Sequence, residues 1–245
     1  MEILPFEKVP RCIGIILDGN RRYAEAEGLS RAKGHHAGYR KFREFLRWAK
    51  EAGVRYGIAY AFSTENWKRE KGEVDDLMNL FRYAFKNDVE ELRAEGVCIH
   101  VIGDRSRLPE DLQKLAQYAE ERTKTEKTIM GKGFHLVLAL SYGGRAEILA
   151  AVETFIEMKE GLSLQAPLWL TEENFSQCLW TGQAGIPDPD LIIRPGGEKR
   201  LSGFLLWQAV YSELFFSDTL WPDFTKEEFL KILAEYAERK KNYGK

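Results

Sequence analysis

Residues 13–22 read Ile-Gly-Ile-Ile-Leu-Asp-Gly-Asn-Arg-Arg. An apolar run stops at a carboxylate, then come a glycine, an amide and two guanidinium groups. A run that is apolar without alternation predicts a strand buried on both faces, as in a parallel sheet. Ligands of open α/β sheets bind beyond the carboxyl ends of such strands, which is where Asp18 falls. Gly19 permits a sharp turn and close backbone approach. The amides that follow, with Arg21 and Arg22, can face an anion at a helix start. One carboxylate beside several cations suits a polyanionic substrate carrying a divalent metal. A strand end with a solvated acid and two surface arginines fits the same ten residues.

The rest of the chain repeats the pattern. Residues 23–37 are rich in charge and glycine, including Arg31, Lys33, Gly34, His35 and His36. A helix is predicted from about Gly38 to Ala52, with Gly53 as its stop. Val54 to Phe62 reads as a second strand and ends in Ser63-Thr64-Glu65-Asn66-Trp67-Lys68-Arg69. Val74, Leu77, Met78, Phe81, Phe85, Val89 and Leu92 repeat at helical spacing and predict one long helix over Glu73–Ala94. Val97–Ile102 reads as a third strand, followed by a helix from Pro109. Phe134–Leu140 reads as a fourth strand, and a helix reaches about Met158. Loops are predicted around Gly131/Gly133 and over 161–170. Thr171 caps a short helix to Leu179. Leu191–Ile193 reads as a fifth strand, the segment at Glu213–Phe216 as a last short one, and Lys226–Lys240 as the terminal helix. Strands alternating with helices predict an α/β fold: one domain over residues 1–245, with a mainly parallel central sheet of about six strands surrounded by helices.

Composition narrows the function. With 245 residues, 44% of them hydrophobic, the chain can bury a full core. A net charge of −2 argues against nucleic acid as the main partner. Cys12, Cys98 and Cys178 show no CxxC spacing and the four histidines no HExxH spacing. Both sets therefore read as packing residues rather than metal ligands, with a motif behind His35 alone. Glu2, Glu7 and Lys8 interrupt any apolar leader, and no stretch is long and apolar enough to span a bilayer. A cytoplasmic protein is expected, with peripheral membrane contact left open.

Polar clusters follow strands one, two, four and five. Together they offer Asp18, Asn20, Arg22, Arg31, His35, Ser63, Asn66, Arg69, Arg194, Arg200, Ser202 and Glu213. A cationic mixture with isolated acids suits two diphosphates better than a sugar, a peptide or a hydride cofactor. Gly196-Gly197 between Arg194 and Arg200 reads as a turn that wraps phosphate, or as a tight turn with solvated arginines. Neither a P-loop nor GxGxxG is present. Asp75-Asp76 lacks the third acid of a DDxxD metal motif and reads as exposed helical charge.

Several long motifs occur in order: LDGNRRYA from Leu17, Arg31/Lys33-Gly34-His35, AFSTENWKR from Ala61, SYGGR from Ser141, DLIIRPGGEKRLSGFLLWQ from Asp190, YSELFF from Tyr211 and LWPDF from Leu220. On these the chain resembles, over nearly its whole length, the cis-prenyltransferases of the undecaprenyl diphosphate synthase type. The resemblance implies a homodimer that condenses isopentenyl diphosphate with an allylic diphosphate. It implies that Asp18 holds Mg²⁺ against the allylic diphosphate, surrounded by Gly19, Asn20, Arg21, Arg22, Arg31 and His35. Arg194, Arg200 and Ser202 would hold isopentenyl diphosphate, with Glu213 assisting a metal there. Ser63, Asn66, Trp67 and Arg69 match the loop that orients that substrate, Asn66 being expected to help position the proton acceptor. Tyr23, Thr64, Glu65 and Leu201 complete the implied substrate-binding set. Arg21, Tyr23, Ser141 and Gly203 depart from the commonest family residues. The growing chain would lie in an apolar channel lined by Leu77, Met78, Phe81 and Phe85, facing Ile58 or Tyr60 and Phe134, Leu136 or Leu138; the same stripe also reads as plain helix–sheet core. Two other readings are a non-catalytic partner subunit of the same fold and a monophosphate phosphatase.

Overall fold

In the computed structural model, which describes residues 8–124, 133–160 and 169–239, the first apolar run is strand β1 (Cys12–Ile16), buried at every position. Both faces of this strand are covered, which accounts for its lack of alternation. The described elements continue as α1 (Asn20–Ala26), α2 (Arg31–Glu51), β2 (Tyr56–Ser63), a 3₁₀ turn (Thr64–Lys68), α3 (Lys71–Asn87), α4 (Val89–Ala94), β3 (Val97–Ile102), α5 (Glu110–Thr123), β4 (Phe134–Tyr142), α6 (Gly144–Glu160), α7 (Glu172–Cys178), α8 (Trp180–Gln183), β5 (Leu191–Arg194), β6 (Glu213–Phe216) and α9 (Lys226–Glu238).

The six strands form one sheet in the order β3-β4-β2-β1-β5-β6, and every pairing is parallel. The chain winds outward from β1 in one direction through β2 and in the other through β5. The crevice at such a reversal is where an open α/β sheet receives ligand. Ile15 of β1 lies beside Ile193 of β5, so Asp18 and Arg194 emerge at the same end of neighbouring strands. One face carries the larger core, in which Ile13, Ile15, Phe62, Leu136 and Ile193 pack with Phe45, Phe85, Trp221 and Phe229. The other face packs Cys12, Ile58, Val137 and Ile192 with Phe204 and Leu205.

Three elements differ from the sequence expectation. Helix α2 starts at Arg31, not Gly38, because the Ser30 hydroxyl caps it by accepting from the Lys33 amide. Its glycines Gly34 and Gly38 serve close packing: a Cβ there would lie 2.4 Å from the Asn20 carbonyl oxygen and 2.1 Å from Asn20 Oδ1, respectively. The long periodic segment over 73–94 is two helices that meet at Asp88. Strand β4 runs on to Tyr142, past the predicted Leu140. Gly131, residues 161–168 of the predicted loop and the last residue of the predicted terminal helix lie outside the described residues.

Candidate active site

The site starts at Gly19, which turns the chain after β1 with φ 110°. A Cβ here would also meet the Leu220 backbone at 3.1 Å, so glycine is required for both conformation and space. The turn leaves the Asp18 carboxylate between two guanidinium groups. Arg194 Nη2 donates to Oδ2 at 2.8 Å and Arg22 Nη2 to Oδ1 at 3.1 Å. Arg194 ends β5 and is only 5% exposed. Its Nη1 donates to Ser202 Oγ at 2.9 Å and to the Arg200 carbonyl. Its Nε is buried and has no hydrogen-bond partner among the described residues. Arg200 pairs with Glu198. Three guanidiniums against the Asp18 and Glu198 carboxylates leave this seat a net cation.

The glycine pair at 196–197 plays a different part from the one its sequence suggests. The Gly196 and Gly197 amides donate to the Thr219 and Ser217 carbonyls at 2.8 and 2.7 Å, so neither is offered to phosphate. Gly196 instead lets the loop lie against Asp18 and Arg22: a Cβ would sit 3.1 Å from the Asp18 carbonyl oxygen and 3.0 Å from Arg22 Nη2.

A second cationic group gathers around Glu73, in the first turn of α3, whose side chain is 3% exposed. Arg69, Arg31 and Arg21 approach this carboxylate at 2.7, 3.3 and 3.8 Å, and His35 Nε2 lies 3.2 Å from it. Burial alone would raise the Glu73 pKa, but Arg69 above all, with His35 and Arg21, outweighs it and holds the carboxyl below its ordinary range. Burial lowers the His35 pKa against the opposing pull of Glu73, so the imidazole is neutral at pH 7. In the sequence Glu73 figures only as the first residue of the predicted long helix. The available signal was its i,i+4 spacing from Arg69.

The segment after β2 is the 3₁₀ turn. Ser63 N donates to Asn66 Oδ1 at 3.0 Å in a reciprocal cap. Trp67 Nε1 donates to Ser141 Oγ at 3.0 Å, and Thr64 Oγ1 to Glu65 at 3.2 Å. Tyr60, expected only as a channel wall, is buried and its hydroxyl faces the Tyr142 and Ser202 carbonyls, tying β2 to the end of β4 and to the loop after β5. Behind it the buried Glu147 accepts from Tyr142 and from Gln208, anchoring the far end of the motif that begins at Asp190.

Several of these groups line a cavity of about 330 Å³. Its polar end is formed by Asp18, Asn20, His35, Ser63, Asn66, Arg69, Arg194 and Arg200. It continues between the sheet and helices α2 and α3, past Leu77, Phe81 and Phe85 from the predicted stripe and Tyr60, Leu136 and Leu138 from the strands. Met78, Ile58 and Phe134 are core residues outside that lining. Arg21 and Arg31 reach the site through Glu73, and Arg22 through Asp18. Tyr23, Thr64, Glu65, Trp67 and Leu201 do not line the cavity. Glu213 begins β6 opposite Leu191, at the other end of the strands, where Arg239 pairs with it. Asn20 donates weakly to the Leu17 carbonyl, while its buried Oδ1 finds no hydrogen-bond partner among the described residues.

A family model described as "Putative undecaprenyl diphosphate synthase" matches residues 16–244. An isoprenyl transferase of Thermotoga maritima is 44% identical over 238 residues, 97% of this chain and 97% of its own. A Methanocaldococcus jannaschii protein named tritrans,polycis-undecaprenyl-diphosphate synthase (geranylgeranyl-diphosphate specific) is 42% identical over 246 residues, 100% of this chain and 86% of its own. The crystal structure of lavandulyl diphosphate synthase from Lavandula x intermedia, in complex with dimethylallyl diphosphate, has a TM-score of 0.88 at 35% identity and covers 97% of this chain and 99% of that one. A parallel sheet whose central crevice joins a cationic mouth to an apolar cavity is thus the framework of an enzyme that transfers prenyl groups. The chain belongs to the undecaprenyl diphosphate synthase family, the cis-prenyltransferases that make polyprenyl diphosphates.

Proposed function

We propose that the enzyme extends an allylic diphosphate, farnesyl diphosphate in the first instance, with isopentenyl diphosphate in cis steps to a carrier-lipid precursor such as undecaprenyl diphosphate, with Mg²⁺ as cofactor. The observation that carries this reading is the contact of Asp18 with the buried Arg194 at the polar end of an apolar cavity. The donor set fits the ion. Asp18 presents hard carboxylate oxygens on a side chain 26% exposed, and Mg²⁺ commonly takes one or two carboxylates plus substrate phosphates. When bound there, Mg²⁺ supplies charge neutralisation for the departing diphosphate.

The chain's own groups do the rest. Arg22, Arg194 and Arg200 hold diphosphate oxygens, each charge-assisted hydrogen bond contributing about 1.5–3 kcal/mol. Arg21, Arg31, His35 and Arg69, gathered by Glu73, form the adjoining side of the allylic seat. Asn20 lines it at the start of α1, while Gly19 sets the turn before the helix and Tyr23, donating its amide to the Gly19 carbonyl, supports that turn from outside the cavity. The isopentenyl double bond attacks the allylic carbon, the carbon–oxygen bond to diphosphate breaks, and the proton lost from the isopentenyl unit passes to a diphosphate oxygen. Asn66 and Ser63, locked to each other, position that oxygen, while Thr64, Glu65 and Trp67 fix the turn and Leu201 and Ser202 the Arg194 loop.

Glu213 stands three residues before the Arg194 level of the strands, about 10 Å at ~3.3 Å per residue, and two strands from β1. It cannot share an ion with Asp18 of its own chain, so its metal role belongs to a homodimer that presents it to a second site. Val210 and Tyr211, 71% and 73% exposed beside the edge strand β6, give such a dimer an apolar surface. Among the described residues no helix is long and apolar enough to cross a membrane. The product's tail would be passed to the bilayer by peripheral contact from the cytoplasmic side.

Labelled isopentenyl diphosphate, farnesyl diphosphate and Mg²⁺ should give a ladder of cis-polyprenyl diphosphates that a chelator abolishes. Asp18→Asn, which keeps the side chain's shape but turns one of its two arginine-accepting oxygens into an amide donor, should cost about 10²–10³-fold or more in turnover with the fold intact. Phosphate release without carbon–carbon bond formation would establish the phosphatase reading instead, and wild-type turnover in Asp18→Asn would remove the metal assignment.

A further inference from the structure

We infer that Cys98, His100 and His135 form a Zn²⁺-binding site on the sheet face opposite the prenyl cavity, a role beyond the proposed reaction and independent of it. Cys98 and His100 are two apart on β3 and so point to one face. His135 lies directly beside Cys98 on β4. Their neighbours Ile99 and Leu136 point the other way and line the cavity, which separates the two sites by the thickness of the sheet. One ligating atom from each of the three residues lies within 4.8 Å of the other two. His100 Nε2 and His135 Nδ1 are already 3.0 Å apart. A tetrahedral Zn²⁺ with bonds of about 2.0–2.1 Å to nitrogen and 2.3 Å to sulfur needs roughly 3.3 Å between nitrogens and 3.6 Å from nitrogen to sulfur. The required movement is therefore small and confined to side chains.

The chemistry matches as well. One thiolate and two imidazoles are the ligand types that favour Zn²⁺ over Mg²⁺. Tyr56 stacks on the His135 ring at 4.6 Å and fixes its plane. Cys98 is 3% exposed, whereas both histidines are partly exposed, leaving a route for the ion and a fourth position for water. Burial, reinforced by His135, lowers the His100 pKa to about 4, so the pair meets the ion with its imidazoles neutral. The shared imidazole proton moves to the outer ring nitrogen, and the thiol loses one proton to solvent. The spacing 98–100–135 resembles no linear zinc motif; strand pairing alone brings the three together.

The test is Zn²⁺ titration of chelator-stripped protein against a chromophoric competitor in excess Mg²⁺, with Co²⁺ as a spectroscopic substitute. One Zn²⁺ per chain is expected. Cys98→Ala and His135→Ala should each weaken binding by more than the roughly 10–100-fold that loss of an outer-shell partner costs. The wild-type Co²⁺ form should show tetrahedral bands with a thiolate-to-metal charge-transfer band that Cys98→Ala removes. The Co²⁺ spectrum of the wild type needs no variant to fold. Failure to bind stoichiometrically, binding unchanged in both variants, or a Co²⁺ spectrum without thiolate character would overturn the site.

Discussion

Glu73 sets the charge of one side of the cavity mouth, the side assigned above to the allylic substrate. Its buried carboxylate faces three guanidiniums and a neutral imidazole, and removing its charge leaves those groups repelling one another. Because the arginines are partly exposed, Glu73→Gln should cost about 1–3 kcal/mol in denaturant unfolding. It should also raise KM for the allylic substrate about tenfold, the equivalent of ~1.4 kcal/mol. His35 adds a pH dependence. Its folded pKa is depressed by burial, while an unfolded imidazole titrates near 6.5. As pH falls through that value the unfolded chain takes up a proton that the folded chain refuses, so stability is lost toward acid. Glu73, also depressed, extends the loss once pH nears about 4.3. His100 and His135 act with the same sign, so the His35 share is the difference between wild type and His35→Asn. Unfolding midpoints between about pH 7.5 and pH 5 should fall less steeply in that variant. Equal slopes would remove His35 from the account. Asp18 and Arg194 were legible because each follows an abrupt end to an apolar run, and Ser202 because it closes the polar cluster after Arg194. Glu73 was not, because Arg21, Arg31 and His35 reach it from other elements, and Tyr60 was legible as a cavity wall but not as the tie between strands.

Among the elements, the six strands could be read from the sequence because a parallel sheet covered on both faces demands continuous apolar runs. The helix boundaries were less so. The periodicity of residues 74–92 passes unbroken through Asp88 because α3 and α4 present their apolar residues to the same core. What ends α3 is Asp88 accepting hydrogen bonds from Tyr39 and Arg43 of α2, a contact no local pattern contains. Likewise Gly34 fell in the charge- and glycine-rich stretch ahead of the predicted helix and Gly38 at its start, yet both are the surface on which α1 lies. Gly34→Ala tests this. It gains up to about 1 kcal/mol of helix propensity. Against that, a Cβ 2.4 Å from the Asn20 carbonyl must push α1 away, and overpacking of this kind costs about 1–3 kcal/mol. A net loss of stability is expected, together with weaker substrate binding, since α1 carries Arg21 and Arg22. Gly72→Ala, in α3 with nothing within 4 Å of the new Cβ, should be neutral or stabilising in the same assay. A stabilised Gly34→Ala would show that α1 is not held by that contact.

At the scale of the molecule, the two ends of the sheet do different work. The carboxyl ends gather the charges, and the β6 edge carries the apolar surface that we assign to a second copy. Val210→Glu should turn a sedimenting dimer into a monomer, whereas a monomeric wild type would exclude that edge as an interface. On the proposed reading, the cavity between the sheet and helices α2 and α3 would link the chemistry to product length. Every five-carbon unit placed there is favourable by about 4 kcal/mol, at ~0.8 per buried carbon, so elongation is favoured while apolar room remains. Ala84 is the smallest side chain of α3 on that wall. Ala84→Trp fills space needed by later units while leaving Asp18, Arg194 and the Glu73 group in place. The expected outcome is a ladder truncated by one or more five-carbon units, with the rate of the first condensation within about twofold of wild type. The predicted difference from a damaged active site is specific, because damage slows every step alike, whereas a filled tunnel spares the early steps and stops the late ones. Chain-length analysis at single-enzyme turnover and at exhaustion separates the two. An unaltered ladder would mean that the growing chain leaves by another route.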